Sequence, residues 1–154
     1  MNGRKSQSSF ELLITMTFGL AILLPVVLIA FLQLSNSSAS LSAAEAQQAA
    51  SKLSSVATLV GSEGPPAKQL VQIQVPPDVQ YIFIGTSANK VGHEVIFVTR
   101  SPNGPSYVTA YTPVNVSGQL GGDANAGTYI INVSAQAVCP SNSNIECVYM
   151  SSVI

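Results

Sequence analysis

The sequence predicts an α+β protein: a long N-terminal helix, membrane-spanning over its first half, followed by a small antiparallel β-sandwich-like domain. Three observations carry this. Leu12 to Leu34 is an apolar run with no charged residue, and no charge recurs before Glu45. Ala46, Ala49, Ala50, Leu53, Val56, Ala57 and Val60 then repeat at i, i+3, i+4, i+7 spacing, one face of a helix. Beyond Pro65 and Pro66 the apolar period changes from 3.6 to 2, the mark of half-buried strands.

In chain order, the first element is polar and basic, with Arg4 and Lys5 ahead of the apolar run. Residues 12–34 exceed the ~20 needed to cross a bilayer as a helix. No cation follows until Lys52, so the positive-inside rule places the N-terminus in the cytoplasm and the chain after Leu34 outside. A cleaved secretory signal is an alternative, with small residues at Ser38, Ala39 and Ser40 for a peptidase. Against it, a signal core usually runs to about 7–15 residues, and a carboxylate at its start is foreign to it. Glu11 is the anomaly. At a helix start it meets the positive end of the helix dipole. Pro25, in mid-span, removes one backbone hydrogen bond and is the expected kink.

Gln7-Ser8-Ser9-Phe10-Glu11, after a short basic leader, resembles the class III signal peptide of archaeal type IV pilins and pilin-like proteins. The resemblance implies cleavage by a membrane peptidase between Ser6 and Gln7, so that 1–6 is a leader and Glu11 becomes the fifth mature residue. Ser6 stands where that family often has glycine. The resemblance further implies that Glu11 serves assembly, pairing with the new α-amino group of Gln7 of a neighbouring subunit once the helices leave the bilayer. The alternative for Glu11 is a helix-capping carboxylate with no assembly role.

The helical pattern resumes after the polar patch Ser35–Ser40 and ends at Gly61-Ser-Glu-Gly-Pro-Pro66. One helix over 7–60, bent near Pro25 and weakened near Asn36, is the expectation. From Ser8 onward it would be roughly 80 Å long at ~1.5 Å per residue. Residues 67–154 form the β domain. Strands are expected at Val71–Val75, Val79–Ile84, Val91–Arg100, Ser106–Val114 and Thr128–Ala135, with a last hairpin from Val138 and Glu146–Val153. Gly118–Gly122 is expected to break the chain. Short strands between Gly and Pro turns predict a sandwich or a curled sheet, its small core leaning on the alanine face of the helix. The β segment is similar to archaeal pilin-like proteins as a pattern only.

Charged residues make up 8% of the chain, against ~25% in soluble domains, and net charge is -1. A nucleic-acid role has no electrostatic support. An uncharged surface of Ser, Thr, Asn, Gln and Gly suits a polymer packed on itself or covered with sugar. Cys139 and Cys147 would close a small loop in an oxidising compartment and remain thiols otherwise. They are too few for a zinc site without His93 and a further ligand. His93, the one histidine, reads as a surface or edge residue. Asp123-Ala-Asn125-Ala-Gly127 resembles half of a calcium loop but lacks the terminal glutamate, so it reads as a turn. No metal or other cofactor is expected. Asn36, Asn115 and Asn132 each stand in an Asn-x-Ser sequon, and an outside orientation makes them N-glycosylation candidates.

The expectation is a structural subunit of an archaeal type IV pilus-like surface filament, used for adhesion. Its partners would be copies of itself in a helical filament, the prepilin peptidase and the assembly platform, with the membrane holding the subunit before assembly. Two other classes stand beside it: a single-span membrane protein displaying a β domain for binding, and a secreted β protein. An enzyme is the least supported class.

Overall fold

The computed structural model describes residues 3–86, 90–101, 104–120, 125–141 and 145–153, with side chains described from Phe10 onward. The chain divides into two compact units, Met1–Ser38 and Ala39–Ile154. Helix α1 (Gly3–Glu63) supplies all the described structure of the first unit and the start of the second. It is helical without interruption through Pro25 and Asn36.

Glycine terminates α1. Gly64 has φ 70°, and its N–H donates to the Val60 carbonyl at 3.2 Å, satisfying one of the orphaned end carbonyls. The left-handed conformation that this cap requires suits a residue without Cβ. The Pro65-Pro66 bond that follows is cis.

In the second unit a six-stranded sheet runs β1-β5-β6-β4-β3-β2. The strands are β1 (Lys68–Val75), β2 (Val79–Gly85), β3 (Gly92–Ser101), β4 (Gly104–Gln119), β5 (Gly127–Gln136) and β6 (Cys147–Ser152). All pairings are antiparallel except β4 with β6. The α+β class and the helix-then-sheet order hold. The β part differs from an antiparallel sandwich in being one mixed sheet, whose second layer is the helix. Ala46, Ala49, Ala50, Leu53, Ala57 and Val60 share one core with inward residues of all six strands, among them Ile73, Ile84, Phe97, Val116, Val133 and Met150. The alternating burial of β1 shows the half-buried pattern directly.

The sheet is curled. Residues 76–78 alone join β1 to β2, yet these strands occupy opposite edges. Val75 and Val79 can stand at most ~14 Å apart along the chain. In a flat sheet five strand spacings would separate them by ~24 Å. The edges must therefore bend toward each other around the helix. Ser42 of α1 ties this closure down, donating to Asp78 Oδ2 at 2.7 Å, while the Arg100 N–H donates to the Asp78 carbonyl at 2.7 Å. Curling exploits the low volume of the helix face. At Gly61 an added Cβ would stand 2.8 Å from Val114 Cγ1, so strand and helix meet there closely.

Strand β4 changes partner half-way. Its first half pairs with β3 up to Tyr111, opposite Glu94, and the register jumps to Val116 opposite Gly92. Pro113 lies in the gap and has no N–H for the ladder. Residues 116–119 then pair in parallel with β6. Gly118 consequently lies inside a strand rather than in the expected break. It faces Met150 across the parallel pair, where an added Cβ would stand 2.3 Å from the Met150 carbonyl oxygen. Glycine is there for close approach, not for a turn.

Candidate assembly segment and modification sites

The apolar face of the first unit is its whole circumference. Every large apolar side chain from Phe10 to Leu34 is at least half exposed, from 51% at Ile14 to 74% at Leu34. An apolar surface of this extent does not stay in water. The helix is long and apolar enough to cross a membrane. The two threonine hydroxyls of its apolar stretch are satisfied within the helix. Thr15 Oγ1 donates to the carbonyls of Glu11 and Leu12, at 3.0 Å each, and Thr17 Oγ1 donates to the Leu13 carbonyl at 2.7 Å. In lipid or in a packed helix bundle neither threonine hydroxyl is then left without a partner. Sequence reading passed over both threonines, though Thr spaced within an apolar helix is itself a signal for such back-bonding.

Glu11 is exposed at the start of this surface. Among the described residues no group bonds its carboxylate. Ser6 and Gln7 lie within the helical backbone, and their side chains fall outside the described ones. Pro25 leaves the Ala21 carbonyl without its i+4 donor. Phe10, Leu13, Ile14, Thr17, Phe18 and Ala21 line a shallow apolar groove of about 290 Å³ beside Glu11.

The second unit holds the remaining candidates. Cys139 and Cys147 form a disulfide with Cα atoms 5.4 Å apart, and both are buried. The Cys139 N–H also donates to the Ile145 carbonyl at 3.0 Å. His93 is an exposed strand residue. Its Nδ1 is 3.2 Å from the Val114 carbonyl and its ring stacks on Tyr111, centroids 5.9 Å apart. It lies over the β4 irregularity, beside a hollow of about 240 Å³ shared with Pro113, Asn115, Gln136 and Glu146. Among the described residues no three His, Cys, Asp or Glu side chains are grouped to hold a metal ion. Asp123 of the half-calcium-loop pattern lies outside the described residues, and the Asn125 carbonyl accepts from Tyr129 Oη at 2.9 Å.

The three sequons differ sharply in setting. Asn36, Ser37 and Ser38 are all exposed on α1. Asn115 is half-buried in the β4 irregularity, and its Nδ2 donates to the Glu146 carbonyl at 3.3 Å. Asn132 stands mid-strand in β5, paired with Leu70 on one side and Ser151 on the other. In both of these the sequon hydroxyl is folded away. Ser117 is 1% exposed with its Oγ 2.7 Å from Ser141 Oγ, and Ser134 is 3% exposed, donating to the Tyr149 carbonyl at 3.4 Å. Period-2 alternation places residues i and i+2 of a strand on one face, yet Ser117 and Ser134 are buried more deeply than their asparagines.

No family model, curated protein or solved structure matches the chain.

Proposed function

We propose that this protein is a subunit of a pilus-like surface filament, held in the membrane by its apolar helix before assembly and built into the filament through that same helix. The observation that carries the reading is the exposed apolar surface from Phe10 to Leu34 with one carboxylate, Glu11, at its start. A membrane covers such a surface, and so does a bundle of identical helices. A carboxylate is costly in either setting unless it is paired. The α-amino group created by cleavage between Ser6 and Gln7 is a cation that a neighbouring copy can offer. The chemistry of assembly is then apolar burial plus neutralisation of one charge per subunit.

On this reading 1–6 is the leader removed by a prepilin peptidase, residues 7–60 pack in the filament, and the curled sheet faces outward for adhesion. The basic N-terminus is cytoplasmic before assembly, and the β domain is outside. An outside location agrees with the disulfide, which oxidising compartments maintain. The low charge agrees with a surface that is packed or sugar-covered. N-glycans on at least one of Asn36, Asn115 and Asn132 complete the picture.

N-terminal sequencing of the mature protein, followed by imaging of sheared cell-surface material, tests the reading. Gln7 as first residue and filaments containing this chain are the expected results. Met1 would make it a single-span protein displaying a β domain, and a start near Ser40 a secreted one. Glu11→Gln should reduce filament yield at least tenfold with the subunit still present in the membrane. Normal yield would remove the assembly role of Glu11.

A further inference from the structure

The outer face of β2, β3 and β4 carries a second interaction surface. The helix covers the other side, where Ile82, Ile84, Val95, Phe97, Val108 and Ala110 point into the core. On the outer side the registers assemble three rows. Tyr81, Val98 and Tyr107 stand abreast; Phe83, Ile96 and Thr109 form the next row; Glu94 and Tyr111 form the third. Val98 is only 4% exposed between tyrosines, of which Tyr107 is 67% exposed. The Tyr81 and Phe83 rings stack with centroids 6.0 Å apart. This is an aromatic, aliphatic centre of the kind enriched in interface cores.

Its charges lie at its two ends. Glu94 and Arg100 are both exposed on β3 and share this face, since residues 94, 96, 98 and 100 alternate with the inward 95, 97 and 99. They are separated by ~20 Å of strand. With its amide oxygen turned toward it, Gln80 holds the guanidinium, accepting from Arg100 Nη2 at 2.9 Å and Nε at 3.1 Å.

We propose that this face docks on the same face of a second copy of the chain, through a two-fold axis lying between the sheets and across the strands. The charge pattern selects that axis. A two-fold along the strands would set Glu94 against Glu94 and Arg100 against Arg100. A two-fold across them sets Glu94 of each copy against Arg100 of the other, at both ends of the contact. It also lays Ile96 over Val98 and Tyr81 over Phe83, each twice, which is the reciprocity of an isologous interface. Three strand spacings by ~20 Å give roughly 300 Å² per copy, below what a tight isolated dimer needs. The contact is weak as a single pair and gains strength where many copies are arrayed, because each further pair forms at high effective concentration. Arrayed on filaments, the face joins one filament to the next. The two-fold contact itself does not depend on the filament reading.

The test uses the full chain in detergent micelles. In an Arg100→Lys variant a carbodiimide should join Glu94 to position 100. The two sites are too far apart within one chain to react, so a mapped link is intermolecular. Glu94→Lys and Arg100→Glu, each alone, should weaken self-association about tenfold by sedimentation, with thermal unfolding unchanged because both residues are exposed. An equimolar mixture of the two variants should recover wild-type association, as both ends are then complementary again. Tyr107→Ser should weaken association without altering charge. Absence of the link, or failure of the mixture to recover, overturns the proposal. All these variants leave α1 untouched, so their failure is separate from failure of the Gln7 and filament tests.

Discussion

Replacing Cys139 and Cys147 together by alanine frees the β5–β6 connection in the unfolded chain while keeping both buried positions apolar. The cysteines are 8 residues apart in sequence. Loop-closure entropy for a ring of that size gives about 2.5 kcal/mol of stabilisation from the disulfide. The unit Ala39–Ile154 unfolds with an entropy of about 0.25 kcal/mol/K at ~2.1 cal/mol/K per residue. The double alanine variant should therefore melt about 10 °C lower. The bridge also fixes the segment that brings Ser141 to Ser117, so the loss should be no smaller than the entropic figure. Far-UV circular dichroism of the full chain in micelles, read where strand signal dominates, measures the shift. Adding reductant to the unfolded wild-type chain and refolding should reproduce it. A fall of less than ~3 °C in the variant would refute the argument that this unit depends on its cross-link.

Leu53→Ala should cost about 3 kcal/mol in chemical denaturation, because Leu53 is fully buried where the helix meets the sheet. Gly118→Ala should cost about 2 kcal/mol in chemical denaturation, since an added Cβ would stand 2.3 Å from the Met150 carbonyl oxygen and 3.0 Å from Ile84 Cδ1; a neutral result would mean that β4 and β6 do not approach so closely. A purified oligosaccharyltransferase should modify Asn115 and Asn132 in the urea-unfolded chain at least tenfold faster than in the folded chain, because the Ser117 and Ser134 hydroxyls are buried, with equal rates by mass spectrometry overturning this. Glycans found at those two sites on the natural protein would then have been added before the sheet closed.

Helix and strands were legible because they depend on local pattern. The alanine and valine spacing from Ala46 to Val60 marks the helical face that is buried, and the Val71–Ile73–Val75 alternation marks the inward side of β1. The uncharged run to Leu34 and the cations ahead of it likewise speak through composition alone. What stayed hidden depends on partners distant in sequence. Nothing local sends β1 and β2, three residues apart, to opposite edges, or sets β4 parallel to β6 after a proline interrupts its first pairing. Of the sandwich and the curled sheet that the turns allowed, the chain forms the curled sheet, and only the parallel β4–β6 pair departs from the antiparallel expectation. Strand alternation states only that one face is covered; the cover itself was legible in the helix, whose low-volume alanine face packs on the sheet as its spacing implied. Gly118 looked like a turn because glycine marks both turns and close approaches, and only the position of the Met150 carbonyl separates the two. In the same way a sequon reads identically whether its hydroxyl is free or buried. Residue order dictates what each segment can be; the non-local pairing, which closes a curled sheet on one helix, dictates which side chains face water, which face the core, and which are left on the outer face for another copy.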